Sequence, residues 1–330
     1  MKCAARGVAL GVAVVAAAAI QLAPGSVAGQ NPRFGQWLVE VRQEALDRGI
    51  SGPTLERALA GLSPIPRVVE LDRQQPEFTL TFRQYMDRVV PASRVEQGRR
   101  RMGENAQVLS EIGAAYGVQP HYLAALWGIE SDFGRITGGF PVISALATLA
   151  FDGRRSAYFR GELMDALAIL DGNHVTLDKM IGSWAGAMGQ SQFMPSSFLA
   201  FARDHDGDGR KDIWDTKADV FASAANYLKR SGWKGDQTWG RPVRLPAAFD
   251  PALADLAVRK PLSDWQKMGV RRADGGDLPT RDLMASVVIP DGPDGPAFVV
   301  YDNFRVILKW NRSTFFAVAV GSLADRLAGG

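Results

Sequence analysis

Through most of this 330-residue chain, apolar positions recur at the three-to-four-residue spacing of amphipathic helices. Phe34 to Arg48 is the first such stretch, ended by Gly49. A second starts at Ser51, with Pro53 in its first turn and Leu55, Ala58 and Leu59 on one face. Pro64 and Pro66 interrupt the pattern. Phe78 to Val90 is predicted helical and is stopped by Pro91, and Ser93 to Tyr116 is predicted to form one long helix ending at Gly117. Pro120 opens a further helix, His121 to Phe133, stopped by Gly134. Val142 to Ala150 and Tyr158 to Leu170 follow, and Asp178 to Phe201 mixes helical spacing with glycines. Asp204 to Asp215 is a polar loop, and Val220 to Ser231 is helical as far as Gly232-Trp233.

Beyond about residue 240 the pattern changes. Arg241 to Pro293 is rich in Pro, Gly and Asp, with short apolar runs such as Ala285 to Ile289. Ala297 to Tyr301 and Arg305 to Trp310 read as strands, and Thr314 to Leu327 returns to helix. The expected fold is mainly α, with a small β-containing subdomain over roughly 241–310. No internal repeat is visible.

The first 28 residues have a different character. Lys2 and Arg6 precede an apolar run from Val8 to Ile20, Pro24-Gly25 breaks it, and Ser26-Val27-Ala28 offers a small-x-small cleavage site. This is the layout of a secretory signal peptide. The apolar run is shorter than the roughly 20 residues of a membrane span, so no transmembrane anchor is expected after cleavage. The expected location is the periplasm. The one cysteine, Cys3, would leave with the signal, and the mature chain could hold no disulfide or thiolate metal site. Its hydrophobic fraction of 46% and charged fraction of 22% are those of an ordinary globular protein. The formal charge of +3 falls towards neutrality once Lys2 and Arg6 are removed, which argues against a nucleic-acid partner.

Within 121–133, Leu123, Leu126 and Trp127 precede Glu130 by seven, four and three residues and share its face. A carboxyl beside a tryptophan on an apolar face would be desolvated. Desolvation raises a carboxyl pKa, as a general acid working near neutrality requires. The alternative is a structural carboxylate paired with a buried arginine. Asp132 falls on another face and is not placed to be its partner.

Residues 182–198 read GSWAGAMGQSQFMPSSF. Small residues there allow close backbone approach, and Gln190, Ser191 and Gln192 supply neutral hydrogen-bonding groups suited to sugar hydroxyls and amides. No lysine is present, which excludes a P-loop. A helix–helix contact requiring small residues is the other reading. The three histidines include no zinc-spaced pair, and no Gly-x-Ser-x-Gly elbow occurs.

Asp204, Asp206 and Asp208 fall at positions 1, 3 and 5 of an EF-hand-like loop with Gly209 at 6. Arg210 would offer its carbonyl at position 7, and Asp215 stands at position 12, where the usual closing residue is a longer Glu. An ion-free Asp/Gly turn is the alternative to a structural calcium site.

Taken together, LWGIESDFG, SALATLAFDGRRSAYFRGEL, GSWAGAMGQSQFMPSSF and DHDGDGRKDIWD closely resemble the lytic murein transglycosylase B family (glycoside hydrolase family 103) from Gly35 onward. The resemblance implies a lysozyme-like helical catalytic domain over 29–330. It also implies non-hydrolytic cleavage of peptidoglycan strands between N-acetylmuramic acid and N-acetylglucosamine, with no cofactor needed for the chemistry. Glu130 matches the family's acid/base, and Ser183 and Gln192 match substrate contacts. Arg154 and Arg155 match an arginine pair near the stem peptide or muramyl lactate, and Tyr227 and Asn311 match groove positions. It points to Asp219, beyond Asp215, as the residue closing a calcium loop over 204–219.

Two departures stand out. Cys3 lies in no lipobox, and little sequence follows 314–327, so neither the family's lipid anchor nor a C-terminal peptidoglycan-binding domain is expected. A hydrolytic muramidase on the same fold and a non-catalytic murein-binding scaffold remain as alternatives. The sequence does not say which cell-wall synthesis or division complex would recruit the enzyme.

Overall fold

Glycine and proline punctuate the chain, and several helices begin or end beside them, as helix Gly52–Leu59 does at Pro53, Ala106–Tyr116 at Gly117 and Val142–Asp152 at Gly153. The computed structural model describes residues 32–74 and 80–329; the expected signal peptide lies outside them. Helices α1 (Pro32–Asp47), α2 (Gly52–Leu59), α3 (Pro66–Gln74), α4 (Phe82–Val89), α5 (Ala92–Glu104), α6 (Ala106–Tyr116) and α7 (Pro120–Ser131) come first. Strand β1 (Phe140–Pro141), α8 (Val142–Asp152), α9 (Ser156–Asp171), β2 (Ile181–Gly182), α10 (Pro195–Phe201) and α11 (Lys217–Arg230) follow. The C-terminal part contains β3 (Gly240–Arg244), β4 (Lys260–Pro261), α12 (Leu262–Lys267), β5 (Arg271–Arg272), β6 (Met284–Val288), β7 (Ala297–Val300), α13 (Asp302–Trp310) and α14 (Thr314–Leu327). The fold is mainly helical, as the sequence pattern predicts, with a five-stranded sheet in the C-terminal part and a two-stranded pair of β1 with β2.

The described residues fall into two compact units, one made of 32–74 and 130–226, the other of 80–129 and 227–329. In the first, α8 packs along α9. Val142, Ile143, Leu146 and Leu149 of α8 and Phe159, Leu163, Leu167 and Leu170 of α9 are buried at helical spacing. Each buried aliphatic side chain contributes about 1.5–3 kcal/mol. Glu162 of α9 is buried and caps α10, accepting hydrogen bonds from Ser196 N at 2.9 Å and Ser196 Oγ at 2.7 Å. A carboxylate at a helix N-terminus satisfies unpaired N–H groups and the helix dipole together.

In the second unit, α14 packs on α4, α5 and α13. It is buried continuously from Phe316 to Gly321, and a Cβ at Gly321 would lie 2.2 Å from the Trp239 ring, so glycine is what admits the indole. Five antiparallel strands in the order β4-β6-β7-β3-β5 form the sheet, with Val287 opposite Val299 and Arg241 opposite Val299 on the other side. Its core gathers Val243, Leu262, Trp265, Val270, Leu278, Val287, Val299 and Tyr301.

Four expectations are corrected. The run Arg305 to Trp310 is helix α13, not strand: Asn303, Phe304, Val306 and Ile307 are buried, a helical set that the short apolar run Val306 to Leu308 conceals. The stretch from Ser93 to Tyr116 is two helices, because Asn105 leaves helical geometry at φ −120°, ψ 19° and turns its side-chain amide onto Arg101 O at 2.8 Å. Helix α4 starts at Phe82, after a capping box between Thr81 and Gln84. Finally, α7 has no separate apolar face: every residue from Tyr122 to Ser131 is buried.

Candidate active site

Glu130 occupies the last turn of α7 and is 8% exposed. Directly after the helix the backbone does something costly. Asp132, Phe133 and Gly134 adopt φ of 50°, 60° and 82° in succession. For a bulky residue such as phenylalanine this left-handed region is an outlier, and such strain gathers where a site must be held in one geometry. Ser131 stabilises the turn: its buried Oγ donates to Gln190 O at 2.8 Å and accepts from Gly134 N at 3.1 Å. Each such bond is worth about 1 kcal/mol, and leaving a partner unmet costs more. The residue after Glu130 is thereby tied to the glycine-rich segment. Asp132 pairs with Arg135 and is occupied there.

The glycine-rich segment is a doubled turn with no helix before Pro195. Ser183 N donates to Ala187 O at 2.8 Å, and Met188 and Phe193 exchange backbone bonds of 2.8 and 3.1 Å. Gly138 makes the closest approach: at φ +107°, a Cβ there would lie 2.0 Å from Gly182 O. Ser183 is buried and its Oγ accepts from Ala187 N at 3.0 Å. Gln192, at φ 47°, donates from Nε2 to Thr137 O at 3.0 Å and Gly189 O at 2.8 Å. Gln190 Nε2 donates to Trp214 O at 2.6 Å. Glu130, Ser183 and Gln192 thus belong to one braced set of segments, 130–137, 182–193 and 213–214. Glu162, the other buried glutamate among the described residues, has both carboxylate oxygens engaged at α10.

The remaining expected residues fall elsewhere. Arg154 and Arg155, in the turn between α8 and α9, both bind the buried carboxylate of Asp72 on α3. Tyr227 and Asn311 lie in the other unit. Tyr227 Oη donates to Lys309 O at 2.6 Å, its ring packs edge-on against Trp310 at 4.8 Å, and burial pushes its pKa up to about 12. Asn311 is buried and its Oδ1 accepts from Ser313 N at 3.0 Å. Sequence reasoning missed Ser131 and Asp72. Ser131 carries a weak signal, a hydroxyl beside the acid on an apolar helix; Asp72 carries none.

In the acidic loop, Asp204, Asp206 and Asp219 bring one carboxylate oxygen each to within 4.8 Å of one another. Asp219, buried in the first turn of α11, accepts from His205 N at 2.7 Å and Asp212 N at 2.8 Å. Burial pushes its carboxyl above the usual range and the charges of Asp206 and Asp204 push the same way, against those two backbone bonds. Three converging hard oxygens, one of them desolvated, fit a cation such as calcium. Asp215 is outside the cluster, its carboxylate 3.0 Å from Lys179 Nζ, and Asp208 pairs with the Arg210 side chain at 3.2 Å.

The candidate site is thus a buried glutamate beside a strained turn and a segment of small residues and neutral amides, on a mainly helical, lysozyme-like frame. Residues 33–325 match the transglycosylase SLT domain, and the chain belongs to this family of lytic transglycosylases. Membrane-bound lytic murein transglycosylase B of Escherichia coli (strain K12) is 30% identical over 321 residues, covering 90% of this chain and 83% of that protein. SltB3 from Pseudomonas aeruginosa, solved in complex with NAG-NAM-pentapeptide, is 49% identical with a TM-score of 0.88, over 90% of this chain and 80% of that one. The E. coli lytic transglycosylase SLT35 in complex with calcium is 28% identical with a TM-score of 0.75, over 90% and 93%. Among the described residues, no helix is long and apolar enough to cross a membrane.

Proposed function

We propose that this protein is a periplasmic enzyme that cleaves the β-1,4 bond between N-acetylmuramic acid and N-acetylglucosamine in peptidoglycan strands. The product is a 1,6-anhydromuramyl end. The carrying observation is the buried Glu130, locked through Ser131 onto the segment that bears Ser183 and Gln192.

One carboxylate suffices if the substrate supplies the nucleophile, as in substrate-assisted glycosidases. Protonated Glu130 gives its proton to the glycosidic oxygen as the bond from that oxygen to the anomeric carbon breaks. The acetamido oxygen bonds to the anomeric carbon and forms an oxazolinium ion. Glu130, now a carboxylate, takes the proton of the muramyl C6 hydroxyl; O6 attacks the anomeric carbon and the acetamido oxygen leaves. Glu130 ends protonated, and no water is consumed. Ser183 orients the acetamido group, and such pre-positioning carries about 7–11 kcal/mol in well-oriented intramolecular reactions. Gln192 holds the turn through Thr137 and Gly189, and Tyr227 and Asn311 contribute to the glycan-binding surface of the other unit.

Mass analysis of muropeptides released from purified sacculi tests this. Anhydro ends, one water lighter than reducing ends, are expected throughout the digest. A digest holding only reducing ends would instead identify a hydrolytic muramidase.

A calcium ion bound by Asp204, Asp206 and Asp219 would brace the loop and the start of α11 without entering the chemistry. SLT35 in complex with calcium supports the assignment. At free calcium a hundredfold above its Kd, binding adds about 2.7 kcal/mol to stability. The melting temperature is expected to rise with calcium over a chelator control. Asp219→Asn should remove that increment and Asp215→Asn should leave it intact; an increment that survives Asp219→Asn would overturn this ligand set.

A further inference from the structure

Gln190 is buried where three segments meet. Towards the acid, its backbone O accepts from Ser131 Oγ at 2.8 Å, one residue from Glu130. Its side-chain Oε1 lies so close to Gly134 that a Cβ there would collide with it. Gln190 therefore touches the strained turn at both ends, with Asp132 and Phe133 held at positive φ between. Towards the acidic loop, its backbone N donates to Ile213 O at 2.8 Å and its Nε2 to Trp214 O at 2.6 Å.

This second attachment leads to the carboxylates. Ile213 and Trp214 follow Asp212, whose N donates to Asp219 Oδ2 at 2.8 Å and whose Oδ1 accepts from Trp214 N at 2.9 Å. Trp214 Nε1 donates to Ile181 O at 3.3 Å, and a Cβ at Gly189 would lie 2.5 Å from Ile213 O. The backbones at 189–190 and 213–214 are thus pressed together with little slack. Three hydrogen bonds connect the Asp219 carboxylate to the residue beside Glu130: Asp212 to Asp219, Gln190 to Ile213, and Ser131 to Gln190.

Asp219 is also one of the three carboxylates whose oxygens converge within 4.8 Å, and like charges so close repel. A cation there offsets the repulsion and fixes Asp219. Asp212 is fixed with it, and so is the 213–214 backbone to which Gln190 is bonded. A turn already ordered by one ligand costs less to order for the next, and such linkage is reciprocal.

We propose that Gln190 is a positioning residue for Glu130, and that through it cation binding in the acidic loop and glycan binding at the Glu130 site strengthen each other. The linkage rests on the functional reading above and adds a regulation of that same site. The cation stays outside the chemistry and acts only on the backbone that carries the acid.

Calorimetric titrations on Glu130→Gln test this, since that variant should hold soluble uncrosslinked glycan chains without consuming them. The calcium Kd is expected to fall about tenfold at saturating glycan, and the glycan Kd by the same factor at saturating calcium over a chelator control, within the roughly 5–150-fold range of such couplings. Gln190→Met in the same background keeps the volume but offers Trp214 O no donor. Each ligand alone should then bind as before, and the mutual gain should disappear. In the enzyme with Glu130 intact, Gln190→Met should lower kcat about tenfold or more with KM little changed, and calcium should no longer raise kcat. A merely structural role would instead weaken calcium binding equally with and without glycan, and that result overturns the proposal. Should Gln190→Met not fold, Ser131→Ala, which opens the same route at its other end, must lose the mutual gain. Affinities that ignore the other ligand, a gain that survives the variant, or absence of calcium binding each overturn the linkage while the glycan-cleaving reading stands. Failure of the glycan to bind at all removes that reading and the linkage together.

Discussion

Glu130→Gln is expected to lower kcat for peptidoglycan cleavage by about 10⁴-fold or more. General acid and general base catalysis are each worth about 10²–10⁴-fold, and here one side chain serves in both steps. Glutamine keeps the shape of the acid and can still donate and accept hydrogen bonds in its buried setting, so the variant should unfold at the wild-type temperature. Glu130→Ala would be a poorer test because it also leaves a hole in a helix buried from Tyr122 to Ser131. Asp132→Asn is the matched control. Asp132 lies two residues away, is equally buried and is paired with Arg135, yet it has no assigned role in proton transfer and should retain most activity. Anhydromuropeptide release from sacculi, followed over time, measures both. Near-normal turnover by Glu130→Gln would remove the acid/base assignment, and loss of activity in both variants equally would point to the strained turn instead of the carboxylate.

The second large effect is on stability. In Gly138→Ala the new Cβ would meet Gly182 O at 2.0 Å, Gly182 C at 2.1 Å and Ser183 N at 2.6 Å. All three are backbone atoms, so no rotamer change relieves the clash; the segments at 138 and 182 must separate. The alanine would also have to hold φ +107°. Overpacking and backbone strain each cost about 1–3 kcal/mol, and together they should remove about 2–6 kcal/mol. Gly49→Ala isolates the conformational part: φ is +86° and nothing lies within 4 Å of the added carbon, so about 1–2 kcal/mol is expected. Urea unfolding midpoints compare the two directly. Equal losses would mean that the approach of 138 to 182 is looser than described. Activity should fall further than stability in Gly138→Ala, because Thr137 O, which holds Gln192, moves with the backbone.

What could be read in the sequence follows how local each cause is. Helix ends at Gly49, Gly117 and Gly232 were legible, since a glycine at positive φ stops a helix by its own chemistry. The burial of Glu130 and the close backbone approach at the glycine-rich segment were legible for the same reason, as causes lying within a few residues, although the single apolar face expected around Glu130 is absent. The break at Asn105 was not, because the apolar period runs through it and only the side-chain bond to Arg101 O betrays it. Nor was α13, whose short apolar run fits either period until Asn303 is seen bonding Lys234 and Gln237. Asp72 was beyond reach: its partners stand at 154 and 155, and nothing near it in the chain marks a residue that will be buried with two arginines. In the acidic loop, spacing put Asp215 in the closing position and only the family resemblance pointed to Asp219; their surroundings differ in three dimensions, one beside Lys179 and the other at the base of the loop.

The small sheet has one more consequence. Its outer strands, β4 and β5, are two residues long, one ending in Pro261 and the other made of Arg271 and Arg272. Proline offers no N–H, and a pair of arginines resists stacking against a like neighbour. A passing extended chain therefore finds almost no ladder to extend, and the sheet is poorly suited to seeding fibrils or trapping unfolded neighbours. For an enzyme whose substrate is itself a carrier of extended peptides, the same blunt borders discourage those peptides from adding as a sixth strand and direct them to side-chain contacts instead.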